Sequence, residues 1–206
     1  MATTTTQPDT ELSAVNSILG SIGQSPLTGT TINFNNPETQ FVYNLFAEAN
    51  KDVQIEGWHF NTEYNVKTPP DSTTKYITIA DTILRYDLHA DHVNNTMDLV
   101  KRNGRLYDLI GQTDQFDDPI YLDIVTLYQF TDVPPAFQRY IISKASSRAA
   151  VQMVSNQELV SLLQIQEAQA RASVMEYECN QADHSYMGWP QHTSYRPYQP
   201  FKTLQR

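Results

Sequence analysis

The sequence predicts an α+β protein: an antiparallel bundle of four helices, an inserted antiparallel β domain and an extended C-terminal arm. Three observations predict it. Apolar residues recur at helical spacing over residues 9–57 and again over 134–182, which together predict one helical domain. Between them, residues 58–133 change to short β-branched and aromatic runs separated by turn residues, the pattern of an inserted β domain. Over residues 183–206, aromatic side chains sit among Pro190, Pro197 and Pro200, which forbid a continuous helix. Residues 1–8, a threonine-rich run, are expected to be a flexible N-terminus.

The first helix is expected to start at Asp9 or Thr10, both good N-caps. Leu12, Val15, Ile18, Leu19 and Ile22 form its apolar stripe, Gly23 suits a left-handed cap, and Pro26 prevents the helix from resuming. The second helix has Asn36 as N-cap and Pro37 at its first position. Phe41, Val42, Leu45, Phe46, Ala49 and Val53 are its expected buried face, and Gly57 closes it.

In the β region, Trp58 and Phe60 alternate with His59 and Asn61. Tyr76–Ile79 and Ile83–Tyr86 read as strands, and Ile120–Phe130 as the last one. The sharpest local expectation is a hairpin. Leu99–Arg102 and Arg105–Tyr107 flank Asn103-Gly104, a type I′ turn signature. Helical spacing returns after Pro134-Pro135, with Phe137, Ile141, Ala145 and Ala149 on one face. A break at Ser155-Asn156 precedes a long helix from about Gln157 to Ala182. That helix carries two apolar stripes: Leu159, Leu163, Ala170, Val174 and Tyr177, then Leu162, Ile165, Ala168, Ala172 and Met175. A surface helix in a monomer needs only one. The second stripe serves either a neighbouring subunit or the interior of its own fold. Glu167 and Arg171 are placed to pair across one turn.

Composition narrows the function. Apolar residues make up 40% of the 206, enough for a folded core. The net charge of −9 disfavours a protein that grips DNA, because binding phosphates requires cations. Acidity suits a wall past which DNA slides, and equally an ordinary soluble protein. The single cysteine, Cys179, allows no internal disulfide and is expected to be a small packing residue. No secretory signal or bilayer-length apolar run is evident, so synthesis in a cytoplasm without membrane contact is expected.

Sites with chemical potential are few. Asp87, His89 and Asp91 would share one strand face, with His92 beside them, and could ligate zinc or manganese. The segment lacks a strong metal spacing and lies at an expected strand end. Gly20–Ser25 resembles a phosphate loop only in its glycines, since it ends a helix instead of starting one. Asp117 and Asp118 read as turn formers, and Asn94-Asn95-Thr96 as a sequon by spelling alone. No catalytic constellation, cofactor site or metal site is expected. Lys101, Arg102 and Arg105 flank the hairpin tip, and Arg196, Lys202 and Arg206 make the arm mildly basic.

The opening Thr10–Leu27, with Glu11-Leu12-Ser13 and Gly23-Gln24-Ser25-Pro26, resembles the tail tubular protein A family, the tail adaptors of short-tailed phages. Gly57-Trp58-His59-Phe60-Asn61 is similar to that family's step from helix to sheet. Pro134–Phe137 with Ser143–Arg148 resembles its third helix, and Gln166–Ala172 with Glu176–Glu178 its fourth. The middle, Asn65 to Gln115, departs from the family pattern.

The resemblance implies a structural, non-enzymatic protein of the virion tail, made in the cytoplasm of the infected bacterium. It implies a ring of twelve copies that joins the portal protein to the nozzle (tail tubular protein B), with tail fibres near that joint. Double-stranded DNA would pass through without specific binding. Under this resemblance, Tyr186, Trp189, Tyr195, Arg196, Tyr198 and Phe201 form a portal-docking arm. Leu162, Ile165, Ala172 and Met175 make contacts between subunits, and Arg102, Asn103, Gly104 and Arg105 form a hairpin facing nozzle or fibre. Two alternatives stand beside it: a non-enzymatic binding or regulatory module of a phage, and a metal-dependent enzyme centred on His89 and His92.

Overall fold

The computed structural model describes residues 10–29, 31–34, 36–89 and 97–181. Among them the chain is α+β, with four α-helices and antiparallel sheets. It divides into two compact units. One contains residues up to Glu56 together with Tyr128–Cys179, and the other contains Gly57–Leu127.

In the first unit, α1 (Glu11–Ser21) starts at Thr10. The Thr10 hydroxyl accepts the Ser13 N–H at 3.2 Å, and the Ser13 hydroxyl accepts the Thr10 N–H at 3.0 Å. This reciprocal capping box satisfies two amides that the helix itself cannot. Helix α2 (Pro37–Gln54) has Asn36 as N-cap, whose side chain accepts the Glu38 N–H. Its stripe is narrower than expected. Val42, Leu45, Phe46, Ala49 and Val53 are buried, but Phe41 is exposed, one turn-step off the buried arc. Gln54 is fully buried, where its amide clamps Tyr128 by accepting the backbone N–H at 2.8 Å and donating to the carbonyl at 3.0 Å.

Helix α3 (Pro135–Ala149) runs through the middle of this unit, packed by α1 and α2. Phe137, Ile141, Ala145 and Ala149 are all fully buried. The chain then makes a π-helical turn over Ala150–Val154, and Ser155 turns left-handed at φ 55°. Asn156 caps α4 (Gln157–Gln181) by accepting the Glu158 N–H.

In the second unit, β1 (Thr62–Thr68), β2 (Ile83–Leu88) and β5 (Ile120–Thr126) form an antiparallel sheet in the order β1-β5-β2. Strands β3 (Leu99–Arg102) and β4 (Arg105–Asp108) form the expected hairpin. Asn103 and Gly104 have φ 51° and 76°, the two positive values that a type I′ turn requires. Ile77, Ile79, Leu106, Phe116, Ile120 and Leu122 make the core.

Three strand expectations are corrected. Trp58–Asn61 is a tight turn, because the buried Asn61 side chain accepts the Trp58 N–H at 2.8 Å and closes it. Tyr76–Ile79 makes isolated bridges, Tyr76 to Gln115 and Thr78 to Arg105, instead of a continuous ladder. The last strand stops at Thr126, and Phe130–Asp132 form a short 3₁₀ turn.

Gly57 has φ 80°, and a Cβ there would lie 2.9 Å from Arg85 Nη2 and 3.2 Å from Val125 Cγ2. Gly57→Ala is expected to lower stability by about 1–2 kcal/mol, chiefly through the left-handed backbone. Urea unfolding measures it; an unchanged midpoint would show that the backbone relaxes without strain.

Candidate functional site

Two surfaces collect the side chains singled out in the sequence. The first is α4. Its inner stripe is packed: Leu163 and Val174 are buried, and Tyr177 meets Phe137 edge-on at 5.9 Å between ring centroids. An arginine fork sets the rotation of the helix. Arg171 places Nη1 3.1 Å and Nη2 3.0 Å from the two Glu56 oxygens, and Nη1 donates to the Tyr140 hydroxyl at 2.7 Å. Those bonds, first the ones to Glu56, hold the guanidinium well above its ordinary pKa. The expected Glu167–Arg171 pair is therefore replaced. A two-pronged partner from α2's end outcompetes a single contact along the helix.

With the inner stripe seated, the outer one faces solvent. Leu162, Ile165 and Met175 are 60%, 56% and 46% exposed, and Ala168 and Ala172 lie between them. Cys179 is exposed as well, contrary to its expected packing role. Ile165, Ala172 and Cys179 recur every seventh residue, as do Ala168 and Met175, the spacing of a helix-on-helix seam. The seam is narrow at the alanines and bulkier toward its ends. The exposed Val151 and Val154 lie just before it in sequence, on the π-turn.

The second surface is the hairpin. Lys101 is paired with Asp81 at 2.8 Å. Arg102 lies over the Tyr107 ring at 4.1 Å and Arg105 over the Tyr76 ring at 4.0 Å. A loop that sequence reading missed follows β4. The buried Asp108 carboxylate accepts the N–H groups of Asp98, Ile110 and Gly111, so the loop is rigid while Leu109 and Ile110 remain exposed at its tip. The signal that could have found it is an aspartate followed three residues later by glycine, a common turn pattern.

The metal candidate is described only in part. His89 lies beyond the end of β2, with Nδ1 2.7 Å from Asp123 Oδ1, and the Asp87 carboxylate accepts the Leu88 N–H. Asp91 and His92, like Asn94-Asn95-Thr96, lie outside the described residues. Among the described residues no group of three His, Cys, Asp or Glu side chains is placed to hold a metal ion. Asp117 is paired with Lys75, whose pKa is raised by that bond. No helix among the described residues is long and apolar enough to cross a membrane. The arm residues Tyr186, Trp189, Tyr195, Arg196, Tyr198 and Phe201 also lie outside the described residues.

Comparison with known proteins gives these surfaces a setting. Residues 12–184 match the family described as Tail tubular protein. The chain is also similar to Tail tubular protein A of Klebsiella phage KP34, at 30% identity over 125 residues. That stretch covers 60% of this chain and 62% of the relative's length. With the match running through all four helices and both sheets, the chain belongs to the Tail tubular protein family and is a structural protein of a phage tail.

Proposed function

We propose that this chain is a tail adaptor of a short-tailed phage: a ring of about twelve copies that joins the portal to the nozzle and lines the channel through which DNA leaves. The observation that carries the proposal is the bare outer stripe of α4. A closed ring needs head-to-tail contacts, so each copy must carry an apolar face that its own fold does not cover. Leu162, Ile165, Ala172 and Met175 supply one.

In this arrangement the helical part, residues 9–57 and 134–182, lies toward the portal. The inserted part, 58–133, lies toward the nozzle protein and the tail fibres, with Arg102–Arg105 at its tip. Residues 183–206 are the latch: their aromatics and Arg196 dock on the portal. The net charge of −9 supports a wall that lets DNA pass without holding it. The action is mechanical and needs no cofactor.

Imaging of particles assembled from this protein, portal and nozzle tests the proposal. A ring between portal and nozzle is expected. Protein truncated after Ala182 is expected to fold with an unchanged melting temperature and to leave portal-bearing heads without tails. Sedimentation at the monomer position in the presence of both partners would overturn the ring, and normal tail attachment by the truncated protein would overturn the latch.

A further inference from the structure

The solvent face of the hairpin is organised beyond what a solvated tip requires. Side chains alternate across a strand, so Leu106 points into the core with Ile77 and Ile79, while Arg105 and Tyr107 point outward. Arg102 and Arg105 are direct cross-strand partners, so their side chains emerge on the same outward face. Tyr76 joins that face because Thr78 bridges Arg105, which puts Tyr76 on its diagonal. The outcome is two arginine–tyrosine stacks side by side, Arg102 on Tyr107 at 4.1 Å and Arg105 on Tyr76 at 4.0 Å.

Two like charges directly opposite each other weaken a hairpin. In a chain of net charge −9, carboxylates to relieve them are plentiful. The neighbouring lysines show this: Lys101 takes Asp81 and Lys75 takes Asp117. Yet among the described residues neither Arg102 nor Arg105 has a carboxylate within ion-pair distance. Both are exposed, and each has its guanidinium carbon about 4 Å over a tyrosine ring, 4.1 Å for Arg102 and 4.0 Å for Arg105. A ring face satisfies no guanidinium N–H, so an arginine over a tyrosine can still offer its N–H groups in the fork geometry that fits a carboxylate. The tyrosines therefore sit against the arginines without neutralising them.

We infer that this face is a docking site for an acidic segment of another polypeptide, one that brings two carboxylates to the Arg102 and Arg105 forks. Cross-strand partners have Cβ atoms about 5 Å apart, so the two arginines leave neighbouring positions, as do residues one helical turn apart at roughly 5–6 Å. Glutamates four residues apart on a helix are the simplest segment that offers two neighbouring carboxylates. Duplex DNA does not fit as well. Its binding grows from many phosphate contacts, and here the adjacent lysines are already committed to aspartates. The inference rests on this face alone and not on ring formation, so its failure leaves the adaptor proposal standing, and the reverse also holds.

Fluorescence anisotropy with the full chain tests it. The probe is a fluorescein-labelled helical peptide carrying two glutamates four residues apart, with the glutamine version as control. Binding of the glutamate peptide alone is expected. Arg102→Ala with Arg105→Ala is expected to weaken it at least tenfold. Arg102→Lys with Arg105→Lys, which keeps the charge but loses the fork and the stack, is expected to weaken it more than threefold. Circular dichroism should show an unchanged fold for both variants; should the alanine pair unfold, the lysine pair alone decides. Equal affinity of the lysine pair and the natural protein would overturn the inference. So would tighter binding of a 20-base-pair duplex through the same arginines, or self-association of the chain that the alanine pair abolishes.

Discussion

Phe137→Ala is expected to cost about 3–5 kcal/mol of folding stability. The ring is fully buried in the first turn of α3 and meets Tyr177 of α4 edge-on at 5.9 Å. Removing it deletes a large buried surface and leaves a cavity that a close-packed interior can fill only in part. It also takes away one of the few anchors of α4, which buries only Leu163 and Val174 completely enough to count as core. Against a total stability of about 5–15 kcal/mol, that loss removes about a fifth of the margin or more. Urea unfolding followed by circular dichroism measures the loss. A change below about 1 kcal/mol, the range of a surface substitution, would show that the inner stripe of α4 does not rest on this ring.

The second large effect is expected without any loss of stability. Leu162→Asp together with Ile165→Asp should leave the melting temperature within a degree or two, because both side chains already face water and surface changes stay within about 0.5 kcal/mol. Assembly should suffer severely. Each side chain is worth about 1.5–3 kcal/mol when buried against a neighbour, and an unpaired carboxylate in the same place adds a desolvation penalty. Together they predict at least a hundredfold weaker association in sedimentation with portal present. Leu163→Asp, one residue away but on the packed stripe, should do the opposite and unfold α4 before assembly is reached. Normal rings from the double aspartate variant would remove α4 from the contact.

Much of the fold was legible because helix ends carry local chemistry. Thr10, Asn36-Pro37 and Asn156 each mark a start through a side chain that replaces a missing backbone partner, and Asn103-Gly104 marks a turn through its positive φ values. What escaped depended on partners distant in sequence. Strand β1 includes a residue at positive φ, Asn65, whose N–H is taken by Asp123, so its alternation is broken by a bulge that no local pattern announces. Asn61 turned an apparent strand into a turn, and Glu56 took Arg171 from Glu167. For the candidate site, spacing alone identified two stripes on α4. Which one the chain covers is decided by Tyr177 and Arg171 meeting Phe137, Tyr140 and Glu56, contacts that only three dimensions supply. The arginine–tyrosine face of the hairpin was half legible: the tip was plain, but the stacking on Tyr76 required the bridge between Thr78 and Arg105.

The exposure of Cys179 has a practical corollary. The chain has one thiol, in register with Ile165 and Ala172 on the uncovered side of α4. Every copy thus carries a natural handle for a single maleimide dye at the proposed seam, with no engineered residue. The speed at which that handle reacts reports how long the seam stays open.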